Sequence, residues 1–228
     1  MYSLKELVKV QEQIKQKIIL KDVLPKKITT VAGVDQSFPQ KDKIISAIVV
    51  CNYPSMRVIE KKHAAMKVDF PYIPGFLSFR EGPSIIKAFS RLKNKPDILL
   101  ADGNGILHFR GVGIASHIGV LLDVATIGVA KSLLCGEYEE PKRVGKSSPV
   151  IYEDRTIGYA YKSKKNCNPI FISPGHKVSM KTSLEIVKAS IGKYKLPITL
   201  RLAHIHADEL KRKYVYQDIK TKKVKNRK

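Results

Sequence analysis

Three acidic residues stand in phrases that could carry chemistry: Asp35 in VAGVDQSF, Glu81 in FREGP and Asp102 in LLADGNG. Asp35 and Asp102 each follow an apolar run that predicts a buried strand. A carboxylate in such a place is costly to desolvate unless a cation or several hydrogen-bond donors receive it. The chain around them carries a formal net charge of +22. Carboxylates gathered in so basic a protein suggest divalent metal ions held against a polyanion, which predicts a metal-dependent nuclease.

Each carboxylate also has a purely structural interpretation. Asp35 would cap the turn after its strand, and Asp102 stands in Asp-Gly-Asn-Gly, a strong turn signal. Glu81 would be favoured near a helix N-terminus by the helix dipole. Hydrolysis of a phosphodiester, in contrast, needs an activated water, a neutralised phosphate and a stabilised leaving oxygen. Mg²⁺, or Mn²⁺ in its place, can supply all three when carboxylate oxygens hold it.

Composition limits the class of protein. A chain of 228 residues, 43% of them hydrophobic, is long enough for one packed domain and short for two. The sequence has no apolar stretch of the roughly 20 residues that a membrane span needs, and its charged start lacks a signal-peptide core. Three cysteines without paired spacing indicate reduced thiols. We therefore expect a cytoplasmic protein with no membrane partner; it is also expected to be a monomer, although the sequence does not reveal the oligomeric state.

Basic residues concentrate toward the end of the chain. Residues 141–228 hold 22 of the 42 Lys and Arg residues but six of the 20 Asp and Glu residues. This asymmetry suits either phosphate-backbone binding or a solubilising surface, and the acidic residues favour the first. Residues 1–218 are predicted to form a single catalytic domain. The last ten residues, IKTKKVKNRK, hold six bases, so we expect 219–228 to be a mobile basic tail.

Hydrophobic periodicity predicts an α/β fold, a mixed sheet flanked by helices. The predicted helices cover 4–20, the region around 85–89, 111–124, 181–193 and 200–214, and the predicted strands cover 30–38, 44–52, 57–65, 98–101, 126–130, 150–161 and 169–173. Functional groups collect at the carboxyl ends of strands in such sheets. Asp35 and Asp102 would meet there if their strands are adjacent and parallel.

Six phrases, in this order, resemble the endonuclease V family: VAGVDQSF (31–38), FPYIPGFLSFREGP (70–83), ILLADGNGILHFRGVGIASHIGV (98–120), IGVAKS (127–132), ISPGHKVS (172–179) and LRLAHIHAD (200–208). The resemblance implies a ribonuclease H-like fold and a DNA-repair endodeoxyribonuclease with Mg²⁺ as cofactor. It also implies cleavage of the second phosphodiester bond 3′ to deoxyinosine, leaving 3′-hydroxyl and 5′-phosphate ends.

The resemblance assigns roles around the metal. Asp35, Glu81 and Asp102 would be its ligands and the acidic catalytic residues; Glu81 would either bind the metal directly or act through a water. Lys131, which follows a buried strand, would touch the phosphate or the attacking water, although an ordinary solvated lysine fits the same pattern. His204 would lie beside the metal. His206, two residues on, would not share its helical face and is interpreted as structural.

Other segments would contact the nucleic acid. Pro71, Tyr72, Ile73 and Pro74 match the family's strand-separating wedge; the alternative is a rigid turn with Tyr72 folded onto the core. The lesion pocket would use Gly75, Leu77, Gly103, Gly105 and His108, although turn geometry also explains the glycines. Phosphates would be held by Arg80, Arg110, His176 and Lys177, which equally fit a solvated surface.

Two rival functions stay open. The substrate would be RNA containing inosine if the site accepts a 2′-hydroxyl, which the sequence does not decide. A non-catalytic nucleic-acid-binding protein could share the fold, but it would not need Asp35 and Asp102. The principal partner predicted here is DNA containing deoxyinosine.

Overall fold

The computed structural model describes residues 3–225, with side chains for residues 3–217. Within that range the chain forms five helices and one sheet of nine strands. The helices are α1 (Leu4–Gln16), α2 (Leu77–Ser90), α3 (Ile114–Leu122), α4 (Met180–Ala189) and α5 (Ile198–Lys225). The strands are β1 (Thr30–Gln40), β2 (Lys43–Asn52), β3 (Val58–Lys67), β4 (Ile98–Asp102), β5 (Ala125–Ala130), β6 (Glu137–Tyr138), β7 (Ser147–Tyr152), β8 (Arg155–Tyr161) and β9 (Ile170–His176).

The sheet is mixed, with the strand order β3-β2-β1-β4-β5-β9-β8-β7-β6. Strands β1, β4 and β5 are parallel at its centre, and antiparallel strands flank them on both sides. The predicted α/β fold with a ribonuclease H-like mixed sheet is confirmed. The condition for the two aspartates is also met, because Val34 pairs with Ala101 in the parallel register of β1 and β4. Asp35 and Asp102 are the next residues on each strand.

Helices cover both faces of the sheet. In β4, Leu99 and Ala101 pack on the side of α2 and α3, whereas Ile98 and Leu100 pack on the side of α4 and α5. This two-sided burial explains why the central strands are continuously apolar rather than alternating. The end of the sheet at which Asp35 and Asp102 lie, named here the carboxylate edge, is thus supported by a hydrophobic core on each face.

Gly33 determines how closely α5 approaches β1. A Cβ atom at this position would meet the backbone of Thr199 and Leu200. Because glycine leaves that space open, the first turn of α5 lies directly on the strand. Asp35 is two residues further along the same strand face, and His204 is one helical turn after Leu200. The contact therefore sets the spacing between these two side chains.

Several boundaries differ from the predicted ones. Helix α1 ends at Gln16 rather than at residue 20, and β9 continues to His176, so Ser173-Pro174-Gly175 is strand rather than loop. Helix α5 continues past 214 to Lys225, because no glycine or proline interrupts it. The predicted tail 219–228 therefore begins within α5, and its side chains and last three residues lie outside the described part. Among the described residues, no helix combines the length and apolar character needed to cross a membrane.

Candidate active site

The three predicted acidic residues lie around one cleft of about 450 Å³. Asp35 and Asp102 come from the parallel strands β1 and β4, and Glu81 comes from the second turn of α2. Asp35 is 7% exposed and Glu81 is 8% exposed, so both carboxylates are largely withdrawn from water. Lys131, just after β5, also borders the cleft. The sheet register and the placement of α2 thus bring together residues from four separate phrases of the sequence.

Burial and mutual repulsion raise the pKa of two of the carboxyl groups. For Asp35, burial raises the pKa most and the Asp102 charge adds to it, against the Gln36 backbone N–H, His204 and Lys131. For Glu81, burial followed by the charges of Asp35 and Asp102 raises the pKa to about 7. The cleft therefore has an excess of negative charge that a bound cation would relieve.

Lys131 supplies one positive charge. Its Nζ lies 2.5 Å from Asp102 Oδ2, and half of its side chain is exposed. Burial alone would lower the pKa of this ammonium, but Asp102 and then Asp35 outweigh burial and raise that pKa. Lys131 therefore stays protonated at the cleft wall, where it can reach a phosphate or a water.

His204 holds the other aspartate. Its Nδ1 lies 2.6 Å from Asp35 Oδ2, and its Nε2 lies 3.6 Å from Asp208 Oδ2, one turn further along α5. The histidine thus connects two carboxylates through opposite sides of its ring. Asp208 was not among the predicted site residues, although its i+4 spacing from His204 is visible in the sequence.

The residues fit a hard divalent cation by chemistry, since three carboxylates supply oxygen donors. Among the described residues, however, no three His, Cys, Asp or Glu side chains are already grouped as metal ligands. Instead, Asp102 is paired with Lys131 and Asp35 with His204. A divalent ion would have to take over oxygens that these two groups now contact.

The wedge segment projects into solvent between two depressions. Tyr72 is 69% exposed, which excludes the alternative in which it folds onto the core. Tyr72 and Pro74 border the cleft, whereas Pro71 and Ile73 border a neighbouring apolar groove of about 650 Å³. A projecting aromatic ring beside a cleft is the arrangement that an intercalating wedge requires.

The carbonyl of Gly75, directly after the wedge, accepts three hydrogen bonds. Gln11 Nε2 donates at 2.8 Å, Arg110 Nη2 at 2.8 Å and His108 Nε2 at 3.2 Å. Gln11 Oε1 in turn accepts from Arg110 Nε at 2.6 Å. This cluster, the Gly75 hub, ties the wedge to α1 and to the loop after β4. Gln11 is 1% exposed and was not predicted, because its partners are distant in sequence.

His108 is a neutral member of the cleft wall. Burial, followed by the Arg110 charge, lowers its pKa to about 4. Its Nδ1 accepts the Arg110 backbone N–H at 3.1 Å, so Nε2 carries the proton that Gly75 O receives. Gly75, Leu77 and Gly103, three of the residues predicted to form the base pocket, also border the cleft.

Gly105 does not border the cleft, in contrast to the prediction. A Cβ here would meet the backbone of Pro174 and Ser173, and its N–H donates to Ser173 Oγ at 2.9 Å. Its role is to let the Asp-Gly-Asn-Gly turn pack on β9. The neighbouring Asn104 does border the cleft, and its Oδ1 is buried with no hydrogen-bond partner among the described residues.

The four predicted phosphate-binding residues do not gather at the cleft. Arg80 donates to Phe70 O and lies over the Phe38 ring at 4.9 Å, on the side of the apolar groove. Arg110 is committed to the Gly75 hub and lies over the Phe76 ring at 4.4 Å. Both side chains therefore act first as structural contacts.

His176 and Lys177 lie near the opposite end of the central strands, away from the carboxylates. His176 pairs with Thr126, whereas Asp102 pairs with Val129, so His176 is about 10 Å from the carboxylate edge along the strands. Lys177 Nζ contacts Asp123 Oδ1 at 2.6 Å. The prediction of a loop here is wrong, because Ser173-Pro174-Gly175 continues as a strand away from the cleft. The predicted phosphate contacts of His176 and Lys177 stay a prediction, at a distance from the three carboxylates.

The family model for Endonuclease V matches residues 12–205. The chain belongs to the endonuclease V family. The Endonuclease V of Dictyoglomus thermophilum is 48% identical over 203 residues, which cover 89% of this chain and 88% of the relative. The predicted family is thus confirmed, and it supports a nuclease.

Solved endonuclease V structures share the whole fold. The crystal structure from Bacillus subtilis has a TM-score of 0.89 and 33% identity, covering 95% of each chain. The structure of Ciona intestinalis Endonuclease V, in complex with a 23mer DNA containing an inosine followed by a ribo-adenosine, has a TM-score of 0.83 and 30% identity. That match covers 92% of this chain and 98% of the Ciona chain.

Proposed function

We propose that this chain is a metal-dependent endonuclease that recognises deoxyinosine in DNA. The observation that carries the proposal is the convergence of Asp35, Glu81 and Asp102 from three separate elements on one cleft. The complex of the Ciona relative with inosine-containing DNA supports the substrate. The proposed cut is at the second phosphodiester bond 3′ to the lesion, leaving 3′-hydroxyl and 5′-phosphate ends.

Asp35, Glu81 and Asp102 would hold Mg²⁺, with Mn²⁺ able to replace it. When bound, the ion would supply an activated water and charge neutralisation at the phosphate and the leaving oxygen. Glu81, with its raised pKa, gains most from a cation because its ionised form is disfavoured without one.

Lys131 and His204, the residues that contact the two aspartates, have different proposed roles. Lys131 keeps its ammonium at the cleft wall and offers it to the phosphate, a contact that strengthens as negative charge develops. His204 fixes the orientation of Asp35 through its Nδ1 contact of 2.6 Å. Asp208, on the far side of the ring, steadies the imidazole in turn.

Recognition of the base would use the wedge and the cleft. Tyr72 would enter the stack while the inosine base turns into the cleft. Hypoxanthine differs from adenine in presenting an acceptor at O6 and a donor at N1. Asn104 borders this wall with a neutral amide side chain, and His108 is uncharged there. Neutral groups of this kind can distinguish the two bases by hydrogen bonding.

The test uses end-labelled duplexes with and without one deoxyinosine, incubated with Mg²⁺, with Mn²⁺ or with EDTA. Asp35→Asn and Asp102→Asn should abolish a metal-dependent nick. Asp154→Asn is the matched control, because Asp154 is an exposed turn residue with a φ of 58°, which asparagine tolerates. Ligation and phosphatase sensitivity of the product identify its ends. Equal cutting of unmodified DNA, or cutting in EDTA, would contradict the proposal.

An RNA substrate is a second candidate. The DNA in the Ciona complex carries a ribo-adenosine after the inosine, so that relative accommodates a 2′-hydroxyl at this position. The same assay with inosine in RNA, and with one ribonucleotide 3′ to deoxyinosine in DNA, separates the two substrates. Cleavage of RNA alone would move the function to RNA with the same proposed site.

A further inference from the structure

Helix α5 runs along β1 toward the carboxylate edge. Gly33 packs against its first turn, and Ser37 Oγ donates to Ala207 O at 2.8 Å. Between these two contacts His204 reaches Asp35. The helix therefore advances in the same direction as β1, past the cleft.

The helix then continues beyond the hairpin that joins β1 to β2. It reaches that hairpin at Tyr214, whose hydroxyl accepts a hydrogen bond from Lys43 Nζ at 2.6 Å. The helical backbone continues to Lys225. The residues after Tyr214 add about 17 Å of helix at roughly 1.5 Å per residue. This end of α5 thus extends from the same edge of the sheet that carries the carboxylates.

This end of the helix is strongly basic. Residues 211–225, named here the α5 arm, contain seven Lys or Arg residues and one acidic residue. Arg212 and Lys213 are exposed. The match to the family model ends at residue 205, before the arm begins. A helix this polar gains little from burial, whereas its charge and its course past the β1–β2 hairpin complement a polyanion.

We propose that the α5 arm binds the phosphate backbone of duplex DNA flanking the cleft. The inference rests on the proposed function, because it takes the carboxylate edge as the place where DNA lies. From His204 to Lys225 the helix covers about 30 Å, close to one turn of duplex at about 34 Å. The arm therefore contacts phosphates within roughly one turn of the lesion, on one side of it.

The test compares two full-length variants that lose the same charge. In the arm variant, Lys220, Lys222, Lys223 and Lys225 become Gln. In the control variant, the substituted residues are Lys21, Lys26, Lys27 and Lys181, all exposed and placed before β1 or at the start of α4, away from the carboxylate edge. Thermal unfolding verifies both folds, and a third variant with Arg at the four arm positions keeps the charge.

Binding is measured by fluorescence anisotropy in EDTA, on unmodified and deoxyinosine duplexes, as salt rises. If two phosphate contacts are lost, the arm variant binds DNA more weakly than the wild type. The ratio of the two dissociation constants then shrinks roughly tenfold between about 50 and 200 mM salt. The Arg variant binds as the wild type does. Shortening the duplex on one side of the lesion removes the arm's effect, and shortening it on the other side does not.

Equal losses in the arm and control variants would overturn the proposal, because net charge alone would then explain the binding. Unchanged binding in the arm variant would overturn it too. Failure of the proposed function is a separate result: the wild type would not nick deoxyinosine DNA, while arm-dependent binding to unmodified duplex would persist and still support the arm.

Discussion

The imidazole of His204 contacts the Asp35 carboxylate at 2.6 Å, across the interface between α5 and β1. Asp35 is buried next to the charge of Asp102, so this contact offsets part of the repulsion that it experiences. His204→Ala should lower kcat by about 10–100-fold, the usual cost of removing a group that orients a ligand carboxylate. Affinity for deoxyinosine DNA in EDTA should change little. His206→Ala is the matched control, and an equal loss of kcat there would contradict the role of His204.

Lys131 and the proposed metal ion would compete for Asp102. Lys131→Met removes the ammonium that lies 2.5 Å from Asp102 Oδ2, so affinity for Mg²⁺ should stay the same or rise. The single-turnover rate at saturating Mg²⁺ should nevertheless fall by about 10²–10³-fold, as for loss of a preorganised electrostatic contact. Metal titrations followed by single-turnover cleavage separate the two effects. Lys142→Met, at an exposed position, should change neither quantity. Weaker Mg²⁺ binding in Lys131→Met would show that this lysine supports the metal instead.

The Gly75 hub should control recognition rather than chemistry. Gln11→Leu leaves Arg110 Nε without its acceptor and removes one of the three donors to Gly75 O. We expect a loss of about 1–3 kcal/mol in the free energy of unfolding, the typical cost of unsatisfied buried groups. KM for deoxyinosine DNA should rise more than kcat falls, because the wedge loses its anchor. Gln13→Leu, on the exposed side of α1, is the control, and Gln11→Glu should restore the contact with Arg110 only.

Tyr72 is exposed in the free protein, so its removal should cost binding but not stability. Tyr72→Ala should weaken binding to a deoxyinosine duplex by about 1–3 kcal/mol, the usual contribution of one stacked aromatic ring. Tyr72→Phe should retain the binding, since the ring and not the hydroxyl enters the stack. The melting temperature of both variants should equal that of the wild type. A lower melting temperature in Tyr72→Ala would point to a packing role.

His117 should make stability depend on pH. Burial lowers its pKa to about 4, and its ring lies edge-on to Phe79 with centroids 5.1 Å apart. Because its folded pKa lies below the unfolded value of about 6.5, its contribution is complete above pH 6.5 and is lost as the pH falls toward 4. The loss approaches about 3 kcal/mol at the acid end. In urea unfolding between pH 6.5 and 4, the free energy of unfolding of the wild type should fall by about 3 kcal/mol more than that of His117→Phe; parallel curves would contradict the prediction.

The carboxylate edge could be predicted from sequence because its signals are local. An apolar run that ends at Asp35, and another that ends at Asp102, already indicate two buried strands, and α/β folds place such strands side by side. The Gly75 hub could not be predicted in this way. Gln11 forms hydrogen bonds with Gly75 and Arg110, which lie 64 and 99 residues further along the chain. Nothing in the sequence next to Gln11 indicates these contacts.

Two of the errors concern the residue at which an element ends. Ser173-Pro174-Gly175 has the composition of a loop, yet Gly175 lies in β9 because a side chain there would meet Thr126 and the Ala115 backbone. The last helix is predicted to end at 214, yet residues 215–225 contain no glycine or proline, and α5 continues to Lys225. The first outcome depends on packing partners that composition does not reveal.

The contact between His204 and Asp35 has a consequence for how the protein is synthesised. The ribosome produces the chain from the N-terminus, so both aspartates emerge early and His204 emerges last of the proposed catalytic residues. A nascent chain that ends at α4 has β1 and β4 but lacks the helix that covers Gly33. The cleft is therefore completed only after α5 has been made, and translation products that stop before α5 lack the contact from His204 to Asp35.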